Sequence, residues 1–170
     1  MKLYTLENNN LRLTFLTTGA SIYSFEVKAL NNRNIVLSTK DLAMYKSAAN
    51  AYFGATVGPA AGRLKDGQFS IDGKRYKTEQ NEKITNTLHG GDSSFAFCEF
   101  SVIVESSSQI VFEYTSDEDA GGFPGLLTLR VIYTLEDDGL EVKYIASGTK
   151  DTIINITNHS YYNLDGHGHI

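Results

Sequence analysis

Apolar and polar residues alternate along much of the chain, which is the pattern of β-strands that bury one face and expose the other. In the clearest run, over residues 127–135, every second residue is apolar. Asp137-Asp138-Gly139 then turns the chain into a second alternating run over residues 140–146. Similar runs cover residues 11–16 and 23–27, with a break at Gly19. These runs predict antiparallel strands that turn one face towards a core.

The other predicted elements are short and are separated by turn-forming residues. Asp72-Gly73, between residues 68–71 and 75–78, is a strong signal for a β-hairpin. A single helical turn is predicted at residues 41–45, capped by Thr39 or Asp41. Further strands are predicted at residues 35–37, 95–105, 109–115 and 153–157. Many short strands without sustained helical periodicity predict an all-β fold, either an antiparallel β-sandwich or a barrel.

Composition restricts the class of protein. A chain of 170 residues is long enough for one domain with a hydrophobic core. A net charge of −5 without a basic run argues against a nucleic-acid partner. No apolar stretch approaches the length of a membrane span or of a signal peptide, so we expect no membrane partner. Cys98 is the single cysteine, so no intrachain disulfide can form, and a cytoplasmic location is predicted.

Three segments contain candidate functional residues. Residues 155–166 place His159 where β-branched residues give way to polar, turn-prone ones. His89 precedes two glycines, which let the backbone bend and leave room for a ligand beside the imidazole. Arg63 stands among small residues, and its guanidinium offers a planar set of donors to a diol or a carboxylate. The alternatives are that His159 is a core or surface residue and that Arg63 satisfies loop carbonyls.

The chain resembles the aldose 1-epimerases, or galactose mutarotases, in three co-linear motifs. These are G-P-A-A-G-R-L-K-D-G-Q-F-S-I-D-G-K, T-L-H-G-G and N-I-T-N-H-S-Y-Y-N-L-D-G. The resemblance extends along nearly all of the chain and is to the N-terminal portion of the family. It implies that residues 1–170 form a single mutarotase-like β-sandwich domain, truncated because the C-terminal part of the family fold is absent.

The resemblance also implies a reaction and a role for each candidate residue. The family are isomerases that interconvert the α and β anomers of aldohexoses such as galactose and glucose, without a metal or other cofactor. An acid and a base act on opposite sides of the sugar, and the resemblance assigns the acid role to His159. It places His89 and Arg63 on the sugar and Tyr161 near the pocket, although Tyr161 as a plain core residue is the alternative. Gly62 stands where some members carry Asn, so one contact to the sugar is expected to be missing.

In the family, the general base Glu and a sugar-binding Asp belong to the portion that follows these motifs. The candidate carboxylates for a substitute base lie in turns or strands, and none is persuasive: Asp66, Asp72, Asp137, Asp138, Glu113, Glu136 and Glu141. We therefore expect a binding platform with an acid but no base. Half of a sandwich would also leave open sheet edges, so we expect either an oligomer or a complementing C-terminal half.

Three alternatives to an aldose 1-epimerase remain open on the sequence. A hexose-6-phosphate 1-epimerase would need a cluster of cations, for which only Arg63 is a clear candidate. A non-catalytic carbohydrate-binding module would keep Arg63, His89 and Tyr161 without a base. The third is a purely structural sandwich. His167 and His169 are interpreted as exposed and non-catalytic, with a metal pair as the alternative.

Overall fold

The computed structural model describes residues 1–48, 51–83 and 85–165, and in these ranges fourteen strands form two four-stranded antiparallel sheets and three two-stranded ladders. The strands are β1 Leu3–Glu7, β2 Leu11–Leu16, β3 Ser21–Val27, β4 Arg33–Asn34, β5 Thr56–Val57, β6 Arg63–Leu64, β7 Gln68–Ile71, β8 Lys74–Lys77, β9 Thr87–Leu88, β10 Ser101–Glu105, β11 Gln109–Thr115, β12 Leu127–Leu135, β13 Leu140–Gly148 and β14 Thr157–Asn158. Short 3-10 helices in the same ranges lie at Lys28–Leu30, Leu42–Lys46, Lys65–Gly67, Phe95–Phe97 and Ala120–Gly122. None of these helical segments is long and apolar enough to cross a membrane.

The two large sheets have the strand orders β1-β2-β3-β4 and β10-β11-β12-β13, and apolar side chains of both form the main core. Phe15 of β2 stacks on Tyr133 of β12 with ring centroids 4.6 Å apart. The Tyr133 hydroxyl is buried and donates a hydrogen bond to the Ala20 carbonyl at 2.6 Å. The alternation over residues 127–135 is confirmed, because all five inward residues of β12 are buried. The predicted antiparallel β-sandwich is therefore confirmed.

Two local predictions are also confirmed. β7 and β8 pair across Asp72 and Gly73, which both have positive φ as a tight hairpin turn requires. The predicted helical turn is the 3-10 helix Leu42–Lys46. Its cap is Asp41, whose carboxylate accepts the Ala43 N–H at 3.1 Å.

The strand predicted at residues 35–37 is wrong, because the segment forms no regular ladder: the Ile35 N–H donates to the Phe25 carbonyl and the Leu37 N–H to the Tyr161 carbonyl. β4 is the shorter Arg33–Asn34, and the Asn34 side-chain oxygen accepts the N–H groups of Phe25 and Val36. Val36 makes only an isolated bridge to Tyr162. A polar side chain that satisfies a neighbouring strand in this way ends the regular ladder.

The strands predicted at residues 95–105 and 153–157 are shorter than expected. The first begins only at Ser101, because Ser94 caps a 3-10 helix by accepting the Ala96 N–H. The second is reduced to Thr157–Asn158. Before it, Asn155 bonds instead to the backbone of Pro59 and Ala61. Both segments are apolar, but a local cap at Ser94 and long-range bonds at Asn155 replace regular strand pairing there.

The outer edge of β13 pairs with no strand among the residues that the structure describes. Large apolar side chains in the second half of the chain are exposed on both edge strands of this sheet and beyond it: Ile103, Val104, Leu126, Ile145, Ile154, Tyr161, Tyr162 and Leu164. A nine-residue edge with exposed apolar residues is a surface that favours pairing with another segment.

Candidate active site around two histidines

Two short ladders bring the three sequence motifs together. β6 pairs with β9, so Arg63 lies opposite Leu88, the residue before His89. β14 pairs with β5, so Thr157 lies opposite Val57. As a result, the rings of His89 and His159 meet edge to face, with centroids 4.9 Å apart and an interplanar angle of 87°. The sequence motifs thus converge on one pair of imidazoles.

The backbone around His89 fixes its ring. His89 has a φ of 54° and donates its N–H to the Gly62 carbonyl at 2.9 Å. The Gly62 N–H in turn donates to Nδ1 of His89 at 3.1 Å. Because Nδ1 accepts a hydrogen bond, the neutral ring carries its proton on Nε2. His89 is therefore arranged as a hydrogen-bond donor through Nε2.

Glycine is required immediately after His89. Gly90 has a φ of 95°, and a Cβ there would lie 2.1 Å from the Gly58 carbonyl oxygen. Gly62 is different, because a Cβ at that position would meet no atom within 4 Å, although its φ is 81°. A side chain such as Asn would therefore have room beside His89, and the left-handed region tolerates Asn.

The environment of His89 keeps its ring neutral. Burial, followed by the charges of His159 and Arg63, lowers the pKa of His89 from 6.5 to about 4, and Glu82 partly opposes this shift. Charging both of two imidazoles in contact costs free energy, because their positive charges repel each other. At neutral pH, His89 is consequently a neutral donor and not a source of protons.

The backbone of His159 is held on both sides by the segment before β5. The His159 N–H donates to the Ala55 carbonyl at 2.8 Å, and its carbonyl accepts the Gly54 N–H at 3.2 Å. Asn158 adds a side-chain bond to the Gly54 carbonyl at 2.8 Å. The ring itself is half-buried and packs 5.1 Å from Tyr161. No carboxylate in the described ranges forms a hydrogen bond or ion pair with the His159 ring.

Aromatic rings surround the histidine pair. Tyr161 is 41% exposed and packs against His159 and Phe53, so the residues that the structure describes do not enclose it. Tyr52 is buried, with its ring centroid 4.9 Å from His89 and 5.7 Å from His159. Phe97 lies 5.4 Å from Tyr52. Aromatic faces of this kind pack on the apolar faces of sugars.

Sequence reasoning missed Tyr52, because its segment has no strand periodicity. Its ring reaches both histidines only because the backbone adopts a φ of 61°, which a Tyr residue rarely does. The Tyr52-Phe53-Gly54 sequence, with two aromatics before a glycine, was the available signal.

Arg63 forms a two-point ion pair with Glu82, a residue that no sequence motif singles out. Nε of Arg63 lies 2.8 and 2.9 Å from the two Glu82 oxygens, and Nη2 lies 2.7 Å from Oε1. The Arg63 side chain is 60% exposed, whereas that of Glu82 is 16% exposed. The partner of Arg63 is thus a carboxylate and not the loop carbonyls of the alternative interpretation.

In the described parts of the chain, no group of three or more His, Cys, Asp or Glu residues is placed to hold a metal ion. His167 and His169, the alternative metal pair, lie outside the described residues.

The family model for aldose 1-epimerase matches residues 2–170. Galactose mutarotase of Bos taurus is 37% identical over 97% of this chain and 48% of its own length. Aldose 1-epimerase of Escherichia coli K12 is 31% identical over 97% of this chain and 48% of its own length. The structure of the aldose epimerase homologue from C. elegans superposes with a TM-score of 0.89 and 28% identity, covering 97% of this chain and 51% of that one.

The fold and the family match agree over nearly the whole chain, so the class is that of the mutarotase-like β-sandwich proteins. The chain belongs to the aldose 1-epimerase family. It spans about half the length of the curated relatives it matches.

Proposed function

We propose that this chain carries the sugar-binding face and the general acid of an aldose 1-epimerase acting on aldohexoses such as galactose. The observation that carries the proposal is the contact between His89 and His159, whose ring centroids lie 4.9 Å apart and are surrounded by aromatic rings. The cytoplasmic location predicted from the single cysteine is part of the same proposal.

Ring opening requires a proton on the ring oxygen and removal of the proton from the anomeric hydroxyl. In our proposal, His159 donates the proton to the ring oxygen while a base takes the anomeric proton, and the C1–O5 bond breaks to give an aldehyde. Rotation about the C1–C2 bond exposes the other carbonyl face, and reversal of both proton transfers closes the opposite anomer. An imidazole suits this role because its usual pKa lies near neutrality.

His89 and Arg63 serve binding in this scheme. The neutral His89 ring donates through Nε2 to a sugar oxygen, since its Nδ1 already accepts the Gly62 N–H. Its pKa of about 4 argues against a role as the proton donor. Arg63 binds hydroxyl groups with its free donors, Tyr161 packs on the sugar, and Gly62 leaves space beside them.

The base is proposed to come from a polypeptide segment that pairs with the outer edge of β13. Two features favour this edge, which is nine residues long and regular in register. It also carries the exposed Ile145, as the opposite edge carries the exposed Ile103. The opposite edge, β10, has five residues and a register irregularity between Val102 and Val104, which protects an edge from pairing.

Sedimentation analysis tests this edge proposal. The chain alone should self-associate through β13, and Ile145→Lys should shift it towards a monomer, because a charge on an exposed edge opposes strand pairing. Ile103→Lys in β10, at a similarly exposed position, is the matched control and should leave association unchanged. A stable, soluble monomer of the unmodified chain would contradict the edge proposal.

Polarimetry of freshly dissolved α-D-galactose tests the enzymatic proposal. Acid and base act on one transition state, so we expect this chain alone to give little acceleration, and acceleration dependent on His159 when the base is supplied. Accelerated equilibration by the chain alone that His159→Ala leaves intact would refute the role of His159.

The second candidate is a non-catalytic carbohydrate-binding module. One observation favours it. Among the described residues, Glu82 is the carboxylate whose charge acts on His89, and Arg63 already engages it, so it is not available as a base. Galactose binding without acceleration, even in the complemented protein, would select this candidate. A hexose-6-phosphate specificity has less support, because Arg63, the cation acting on His89, is paired with Glu82.

A further inference from the structure

We propose that Glu82 is a positioning residue that fixes the guanidinium of Arg63 for binding a diol of the sugar; this rests on the proposed function. The pair is bidentate, since Glu82 engages both Nε and Nη2 of Arg63 at 2.7 to 2.9 Å. A two-point pair fixes the plane of the guanidinium as well as its position. Nη1 lies outside this pair, so its two hydrogens and the second hydrogen of Nη2 are the donors that Glu82 leaves for a ligand.

Glu82 is itself held in place, which distinguishes it from a mobile surface carboxylate. Its backbone N–H donates to the Asn86 carbonyl at 3.2 Å, and the Asn86 N–H donates back at 3.0 Å. The Asn86 side chain also donates to Oε2 at 3.4 Å. With only 16% of its side chain exposed, Glu82 loses little additional freedom when it binds the more exposed Arg63.

The loop that carries Glu82 is also bonded to the strand before His89. Asn81 accepts the Leu88 N–H at 2.7 Å and donates to the Leu88 carbonyl at 3.2 Å. Leu88 is the partner of Arg63 across the β6–β9 ladder. Glu82, Arg63 and His89 are thus connected by hydrogen bonds and one ladder. Displacement of the Glu82 carboxylate should therefore shift the side chains of both Arg63 and His89.

Glu82 also balances the charge beside His89. Arg63 lowers the pKa of His89 and Glu82 raises it, so the two residues oppose each other there. A role of Glu82 as the missing base is disfavoured, because the hydrogen bond from Arg63 lowers the pKa of the carboxyl group. A carboxylate that is already engaged and weakly basic is suited to orienting a neighbour.

The test compares Glu82→Gln with a control in which the same kind of pair is removed elsewhere. Glu113 pairs with Arg130 at 2.6 Å on the β11–β12 ladder, so Glu113→Gln removes a pair in a different sheet from the short ladders that carry Arg63 and the histidines. Glu82→Asp keeps the charge but shortens the side chain. Dissociation constants for D-galactose and for its monodeoxy derivatives are measured from histidine imidazole NMR signals of the 170-residue chain.

We expect Glu82→Gln to weaken galactose binding about tenfold, the size of one charge-assisted hydrogen bond, and Glu113→Gln to change it less than about twofold. Glu82→Asp should recover part of the affinity. In the unmodified chain, one deoxy sugar should bind more weakly than galactose because it lacks the hydroxyl bound by Arg63. In Glu82→Gln this difference should disappear, which a loss of folding stability alone would not produce.

Two results would overturn the inference, and they differ from each other. If the unmodified chain binds galactose and Glu82→Gln binds it equally well, with the same deoxy discrimination, Glu82 does not position Arg63. If the unmodified chain binds no sugar at all, the proposed function fails and the role of Glu82 fails with it.

Discussion

The space between the two large sheets and the region around the two histidines are built by different means. Between the sheets, strands such as β2, with six residues, and β12, with nine, bury alternate side chains, and Phe15 and Tyr133 are completely enclosed. Around the histidines, strands of two residues support the site, and residues with positive φ place the side chains. The first region depends on apolar burial and the second on specific hydrogen bonds and glycines. Substitutions should therefore separate stability from ligand binding.

The largest effect is expected in the core. Phe15→Ala removes a ring that stacks on Tyr133 and contacts Phe112, so it should reduce the free energy of unfolding by about 3–5 kcal/mol. Urea denaturation followed by circular dichroism measures this. Tyr161→Ala, at an exposed aromatic of the histidine region, is the comparison and should cost less than about 1 kcal/mol. Equal losses in the two variants would contradict the distinction between the regions.

A smaller loss of stability, with a complete loss of sugar binding, is expected at Gly90. A methyl group there collides with the Gly58 carbonyl at a φ that L-residues avoid, so Gly90→Ala should cost about 1–3 kcal/mol and displace His89. The matched control is Gly73→Ala in the hairpin turn, where φ is 77° but the space is open. Denaturation and galactose titration of both variants provide the measurement. Unchanged binding in Gly90→Ala would show that the His89 backbone is not essential.

The third expected effect is a pH dependence that belongs to the histidine region. His89 has a pKa of about 4 in the fold against 6.5 when unfolded, so the unfolded chain binds more protons between these values. Its contribution to stability is therefore complete above pH 6.5 and is lost as the pH falls towards 4. His159→Ala should raise the pKa of His89, because it removes both burial and a neighbouring charge. NMR titration measures this, and an unchanged pKa would contradict the coupling.

Periodicity predicted the first region well, and residue types predicted the second only in part. The alternation of residues 127–135 and the turn at Asp72-Gly73 specify strands and a hairpin locally. His89, His159 and Arg63 could be selected because motifs surround them. Glu82 could not, and Tyr52 had only the glycine after its aromatic pair as a signal, since each reaches the site through a loop conformation that no period encodes. Periodicity also could not predict where strands end, because side-chain hydrogen bonds such as those of Asn34 and Ser94 interrupt regular ladders.

The central claim is that His89 and His159 together contact an aldohexose, and long-range ¹H–¹⁵N NMR of the imidazole rings tests it directly. D-galactose should shift the signals of both His89 and His159, His167 and His169 should not respond, and galactitol, which has no ring oxygen or anomeric carbon, should have a much weaker effect. No response to galactose at His89 and His159, or an equal response to galactitol, would contradict the account.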